Sequence, residues 1–335
     1  TPVAPVLLGK TGRLGDEIGA VAVSGSYAYV GCDYSEVAVV NVSDSAHPVR
    51  VAGAATGEWV NDIVLDGNKA YVAAGSTGLL ILDISNPLAP SRLAAYTGFE
   101  TVTTVAISGT IAYVGSSYEG VHTLDITDPA HPVYLGAFTT READDIEIVG
   151  PYAYVTSSDG DTYILNVTNP ASMIQLGVHD AGNPNGYGID VAGIYAYVAY
   201  DGIGLRVLNI SNPNSITAVS YYRTPNTNAY HVLVAGSYAY LTAYDDGLSI
   251  INISNPASPS LATMYDIPTE PVDVAVSGNY AFLADAADGV HSVDISNPAK
   301  PVEADRYFIS EGFAYGLTVS GNRLYAAFGY DGLRL

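Results

Sequence analysis

Cysteine, tryptophan, methionine and lysine are all scarce in this chain of 335 residues, which has one Cys, one Trp, two Met and three Lys. With Cys32 alone, neither an internal disulfide nor a cysteine-built metal site can form. No apolar run approaches the roughly 20 residues that cross a bilayer as a helix. The longest are strand-sized and broken by Asp, Gly or Pro. No stretch of useful length repeats its apolar residues with a helical period, so helices are not expected. Basic side chains are also few: 12 Lys and Arg stand against 34 Asp and Glu, a formal net charge of −22. Nucleic acid and anionic membrane surfaces would repel such a chain and are excluded as partners. Enzyme signatures are missing as well. There is no G-x-S-x-G, no H-E-x-x-H, no glycine-rich phosphate loop and no Cys-His pairing.

What the chain has in abundance is repetition. "GLLILDISNPLAPSRLAAY", from Gly78 to Tyr96, returns as "GVHTLDITDPAHPVYLGAF" from Gly120, "GLSIINISNPASPSLATMY" from Gly247 and "GVHSVDISNPAKPVEADRY" from Gly289. The glycine of a V-S-G type of turn falls at Gly25, Gly67, Gly109, Gly150, Gly193, Gly236, Gly278 and Gly321, eight copies of a unit of 41 to 43 residues. Each unit holds four short segments rich in Val, Ile and Tyr with Gly, Asn, Asp or Pro between them, as in "DVAVSG", "YAFLAD", "VHSVDIS" and "PVEADRY". That is the grammar of strands and turns. The apolar residues often run on without alternating, so the sheets are covered on both faces. Four-stranded antiparallel sheets repeating at this interval are the blades of a β-propeller.

The chain ends fix the number of blades. Leu335 aligns with Ile81 of the second unit, while Pro2 aligns with Pro87 and Pro5 with Pro90. The C-terminus therefore supplies three strands of a last blade, and residues 1–10 supply its outermost fourth. The predicted fold is all-β: an eight-bladed β-propeller of four-stranded antiparallel blades, closed three-plus-one by the N-terminal strand. Residues 1–335 are read as a single domain. The recurring S-N-P is turn chemistry, with Asn or Asp bonding back to the backbone and Pro presetting φ.

The units resemble the LVIVD repeat, matched here by "LLILDIS" (Leu79 to Ser85), "VHTLDIT" (Val121 to Thr127) and "LSIINIS" (Leu248 to Ser254). The resemblance spans essentially the whole chain. It implies a β-propeller of bacterial or archaeal origin, commonly secreted or displayed at the cell surface. It carries over no catalytic residue.

In a propeller the loops joining strand four to strand one and strand two to strand three share one face, here called the top. Most of the 34 acidic residues fall in those loops. Asp-Gly pairs among them are hairpin residues, but the carboxylates added beside them are not explained by turns. Flexible acidic loops suit a hard divalent cation. The candidate Ca2+ ligands are Asp144 and Asp145 in "READD", Asp159 and Asp161 in "SSDGD", and Asp245 and Asp246 in "YDD". None has the D-x-D-x-D-G spacing, so affinity would be weak, on the order of 10⁻⁴ to 10⁻³ M. No other cofactor is called for.

A second candidate is the channel mouth. Asp62, Asp145, His231 and Asp273 are predicted to open the first strands of four blades, with Asp144, Tyr187, Tyr230 and Tyr315 beside them. Such a ring can bind a sugar or a metal, or simply meet channel water. The long loop from Val178 to Gly188 adds His179, Asp180, Asn183 and Asn185. His47, His131, His122 and His291 occupy repeat positions and read as structural. Four N-x-S/T sequons stand at Asn41, Asn166, Asn209 and Asn252, where other units carry Asp83, Asp125 and Asp294. They read either as glycosylation sites or as turn residues.

The sequence thus leads to a non-catalytic secreted or cell-surface binding or structural module with an acidic top face, part of a larger protein or assembly. Its partner is a protein or glycan at that face, or another copy of itself. One alternative is a subunit of an extracellular filament or envelope layer, with the many tyrosines as contact surface. Another is a glycan lyase or hydrolase working at the channel mouth.

Overall fold

The four segments of each unit pair in chain order. In the seventh, Pro271–Ser277, Tyr280–Asp285, Gly289–Asp294 and Val302–Tyr307 form one antiparallel sheet, innermost to outermost. The first turn is set by Gly278, whose φ of +57° only glycine adopts without strain. The hairpin on the other side needs Gly289, because a Cβ there would meet the Tyr307 carbonyl oxygen at 2.3 Å. After the third strand, Asp294 Oδ1 accepts from Ser296 N at 2.8 Å and Asn297 Oδ1 from Ala299 N at 3.2 Å, which closes the S-N-P turn.

The structure is a computed structural model, and it describes residues 6–14, 18–32, 36–182, 185–225, 228–244, 246–267, 269–307, 314–329 and 332–335. Among them lie seven four-stranded sheets and one three-stranded sheet, Ala314–Ser320, Arg323–Phe328 and Gly332–Arg334. We number the blades 1 to 8 from Ile18. Each innermost strand packs against those of both neighbouring blades, and the circle closes where Ala314–Ser320 meets Ile18–Ser24.

Blade 8 takes its fourth strand from the N-terminus. Leu8 N donates to the Leu335 carbonyl at 2.8 Å, Leu335 N to the Gly9 carbonyl at 3.0 Å, and Thr11 N to the Leu333 carbonyl at 3.0 Å. Thr1, Pro2 and Pro5 lie outside the described residues. This strand docks as its counterparts do. A Cβ on Gly136 would meet the Ala171 oxygen of the next blade's turn at 2.7 Å, and one on Gly177 would meet the Pro213 oxygen at 2.6 Å. At Gly9 the same contact falls on the Ser45 oxygen of blade 1, at 2.3 Å.

The core is eight slabs, one between each pair of blades. The second strand of each blade buries one aromatic at the same repeat position; Tyr29, Tyr71, Tyr113 and Tyr325 are all at most 3% exposed. The abundance of tyrosine is therefore in good part core packing, which removes part of the sequence argument for a filament contact surface. No helix among the described residues is long and apolar enough to cross a membrane.

Candidate functional site

An innermost strand is the edge strand of its sheet, so every second N–H points away from its own ladder and needs an acceptor. Four carboxylates supply one across the gap to the next blade. Asp62 Oδ2 accepts from Val105 N at 3.0 Å and from Thr104 Oγ1 at 3.3 Å. Asp145 Oδ2 accepts from Ile189 N at 3.1 Å, and Asp273 Oδ2 from Leu317 N at 2.9 Å. Asp190 Oδ2 accepts from Val234 N at 2.7 Å. His231 belongs to the same series, its Nδ1 lying 3.5 Å from Asp273 Oδ1 of the following blade.

Three of the predicted mouth residues thus tie blades together and do more than meet channel water. Asp62 and Asp145 do open their strands. His231 and Asp273 are instead the third residues of theirs, because a register shift lets each strand begin two residues earlier, at Ala229 and Pro271. Asp145→Ala strands the Ile189 N–H and is expected to cost ~1–3 kcal/mol in urea denaturation, whereas Asp145→Asn keeps an oxygen acceptor and should cost less. Equal losses for the two variants would remove the inter-blade bond from this account.

Burial dominates the electrostatics here. It raises the carboxyls of Asp62, Asp145 and Asp190 above their ordinary range despite the N–H donors that oppose it. Asp144 is pushed up to about 7 by burial and then by Glu142, Asp145 and Asp159. Glu147 is also pushed up to about 7, by burial and then by Asp190. One oxygen of each, Asp144 Oδ2 and Glu147 Oε2, is buried without a hydrogen-bond partner. Asp190 and Glu147 escaped the sequence reading because an acid in the middle of an alternating strand reads as solvent-facing.

Beside this arc the rim opens into a cavity of about 290 Å3 between blades 5 and 6, lined by Tyr187, Asp201, Asn228, Ala229, Tyr230 and Tyr244. Both kinds of top loop build it. Asp201 lies in the hairpin after Tyr195–Tyr200, and Asn228 leads into the innermost strand Ala229–Ala235. The two segments meet in a β-bridge, Asp201 to Asn228. Asp201 N donates to the Asn185 carbonyl at 2.9 Å, and Tyr244 N to the Asn228 carbonyl at 3.1 Å. The Tyr187 and Tyr230 rings stack with centroids 4.9 Å apart, and Tyr244 meets Tyr230 edge-on at 5.5 Å. Asn185 Nδ2 donates to the Tyr187 hydroxyl at 3.1 Å. Tyr187 and Tyr230 were legible as rim residues. In the sequence Tyr244 draws less notice than the aspartates that follow it, and Asp201, followed by Gly202, reads as a hairpin residue.

The other sequence candidates have local partners. Asp159 Oδ1 accepts from Asp161 N at 3.2 Å, and Asp161 Oδ2 from the Tyr163 hydroxyl at 2.8 Å. Asp144, Asp145, Asp159 and Asp161 belong to blade 4 or the loop into it, whereas Asp246 is buried in blade 6; Asp245 lies outside the described residues. Among the described residues no three His, Cys, Asp or Glu side chains gather so as to hold a metal ion. In the long loop, Asp180 Oδ1 caps Gly182 N at 2.7 Å, and His179 meets Tyr200 edge-on at 6.5 Å. Asn183 is outside the described residues. Tyr315 is the second residue of the innermost strand of blade 8.

All four sequon asparagines accept from the residue two ahead. Asn41 Oδ1 takes Ser43 N, Asn166 takes Thr168 N, Asn209 takes Ser211 N and Asn252 takes Ser254 N, each at 2.9 Å. Asp83 does the same to Ser85 N at 2.9 Å, so these asparagines share a turn position with the aspartates of other units. His47 and His131 pair with Asp44 and Asp128 inside their turns, at 3.0 and 2.9 Å. His122 and His291 are buried in the third strands of blades 3 and 7.

A larger cavity of about 430 Å3 lies between blades 7 and 8 beside the closing strand, walled by residues such as Leu7, Tyr280, Phe282, Val290 and Phe328. Its wall is mostly apolar side chains of the two facing sheets, with Asp305, Arg323 and Arg334 also lining it. The functional candidate is the smaller, polar cavity on the rim.

The LVIVD repeat family matches residues 18–56, 59–97, 101–140, 141–180, 186–224, 227–267 and 271–308. No curated protein matches the chain. Solved structures do, by shape. The computationally designed Ika8 protein superposes with a TM-score of 0.80 at 12% identity, over 97% of this chain and 99% of that one. Chaetomium thermophilum Sqt1 bound to the N-terminus of the ribosomal protein L10 gives 0.76 at 12% identity, over 96% and 98%. BamB from Moraxella catarrhalis gives 0.71 at 16%, over 94% and 92%. At these identities the likeness is one of fold.

Proposed function

This chain belongs to the LVIVD repeat family, and from that premise we propose that it is a non-catalytic protein-binding module working outside the cell. Its top face takes a basic segment of its partner. The observation that carries the reading is the rim cavity, which is concave, aromatic and lined by the carboxylate of Asp201 at the junction of two blades. The net charge of −22 favours a cationic partner and speeds its approach. The Sqt1 propeller, seen with the N-terminus of L10, supports a peptide as the bound form. The fold alone would not, since propellers host unrelated functions. Asp62, Asp145 and Asp273 of the channel mouth have structural work as inter-blade acceptors, which favours binding over glycan cleavage there.

Charge reversal tests this. Glu100, Asp266 and Glu270 are exposed on the top loops, and Asp44, Asp66 and Asp128 are exposed in the turns of the opposite face. Exchanging the first three for lysine is expected to weaken binding of an oligolysine peptide by at least about tenfold, and exchanging the second three to leave it nearly unchanged. Binding that is absent in the native chain, or that falls equally in both variants, would overturn the reading. So would turnover of an anionic glycan that is lost when Asp62, Asp145 and Asp273 become Asn and His231 becomes Gln. A weak Ca2+ site on the top loops is part of the proposal. A chelator-reversible rise in the melting midpoint with Ca2+, beyond that given by NaCl at matched ionic strength, would support it; equal rises would reduce it to screening.

A further inference from the structure

The rim cavity has a chemistry narrower than negative charge. Three phenol rings wall it, and burial holds the hydroxyls of Tyr230 and Tyr244 above their ordinary range. Aromatic faces are electron-rich and attract a cation placed against them, most strongly when the cation has shed its water. Asp201 stands in the same wall, and Asp144 and Glu270 are close enough to act on Tyr230 and Tyr244 respectively. Among the described residues that line the cavity there is no Lys or Arg to compete. The rings are also held in place before any ligand arrives. Tyr187 is bonded by Asn185, and the segments bearing Asp201, Asn228 and Tyr244 are tied by backbone hydrogen bonds. Such preorganisation lowers the ordering cost of binding.

A carbohydrate subsite would draw on the same rings but gain nothing from the surrounding field, since a neutral sugar carries no charge. An apolar side chain would leave Asp201 and Asn228 facing a group that cannot satisfy them. An ammonium group satisfies both kinds of wall at once.

We propose that the ring surfaces which Tyr187, Tyr230 and Tyr244, packed on one another, turn to the cavity form with Asp201 an open aromatic cage for one organic ammonium group, a lysine side chain of the bound partner. This rests on the reading of the top face as the site for a basic protein segment, and adds which group is recognised and where. The cage treats that lysine differently from the rest of the acidic face. Elsewhere on the face a charge is attracted but stays hydrated, and salt screens it; in the cage it loses water against ring faces and is screened less.

The test uses the whole chain and three peptides that share a basic sequence and differ at one central position, which carries lysine, trimethyllysine or norleucine. Isothermal titration in about 0.3 M NaCl suppresses the diffuse contribution. Lysine and trimethyllysine are each expected to bind at least about tenfold more tightly than norleucine. Tyr230→Leu and Tyr187→Leu should bring all three to the norleucine level, while Tyr230→Phe, which keeps the ring, retains the preference. Circular dichroism melts establish that each variant is folded, and Asp201→Asn gives a second probe if a leucine variant is not. If lysine and norleucine peptides bind alike and the leucine variants change nothing, the cage is wrong while the acidic face stands. If no peptide binds the native chain, the reading of the face fails as well. Binding of a neutral oligosaccharide that is lost in Tyr230→Leu, with peptide binding unaffected, would reassign the cavity to a sugar and overturn the proposal.

Discussion

Gly9→Val is expected to lower the melting midpoint sharply and to drive the protein into aggregates, whereas Gly12→Val, three residues further along the same N-terminal segment, should do little. A side chain at Gly9 would stand 2.3 Å from the Ser45 oxygen and 2.6 Å from the Ala46 oxygen, both backbone atoms of the blade 1 turn. Neither can withdraw without breaking the turn that His47 N and Asp44 close with a 3.1 Å bond. Overpacking of this kind costs ~1–3 kcal/mol and more where nothing yields. Here the strand has an easier escape, which is to leave. That would free the backbone edge of Gly332–Arg334 and Leu335, and an unpaired edge is a template for pairing between molecules. At Gly12 a Cβ meets nothing within 4 Å. Calorimetry and size-exclusion chromatography read the two effects. A Gly9→Val protein as stable and as monomeric as the native chain would show that the N-terminal strand does not close the ring.

The second large effect is on pH dependence. Asp144 and Glu147 are held protonated up to about 7 by burial, whereas unfolded carboxyls release their protons near pH ~4. Below about pH 4 both states carry the protons and these groups do not favour either. Between about pH 4 and 7 the unfolded chain ionises while the folded one does not, so stability falls as pH rises through that window and levels off above it. Asp62, Asp145 and Asp190 are shifted in the same direction. The native chain should therefore melt higher at about pH 5 than at about pH 8. General repulsion at a net charge of −22 has the same sign, so the double variant Asp144→Asn, Glu147→Gln is the discriminating one. It should raise the midpoint at about pH 8 and flatten the dependence. A variant with the native slope would assign the pH effect to overall charge.

The blades were legible because each is specified by short-range chemistry repeated eight times: a turn glycine such as Gly278, an Asx acceptor such as Asp294, a buried aromatic such as Tyr71. The three-plus-one closure was legible because Pro2 and Pro5 keep the repeat's proline spacing across the chain ends. The site was harder to read. Whether Asp62 faces water or a neighbour's N–H depends on the spacing between blades, and no local pattern encodes that. His231 and Asp273 were placed two residues too early in their strands for a related reason, since a bulge is invisible in a run of strand-forming residues. The tyrosine cavity brings together Tyr187, Asp201, Tyr230 and Tyr244 from two repeats, and only stacking of the blades makes them neighbours. A cluster contiguous in the chain, such as "READD", shows in the sequence, whereas rings contributed one at a time do not.

Hydrogen exchange with and without a saturating lysine-rich peptide tests most directly whether the top face is where this protein meets its partner. The account expects slowed exchange at the amides of Asn185, Tyr187, Asp201, Asn228, Tyr230 and Tyr244, with the S-N-P turns of the opposite face unchanged. Protection confined to those turns, or none at all with the peptide bound, would contradict it.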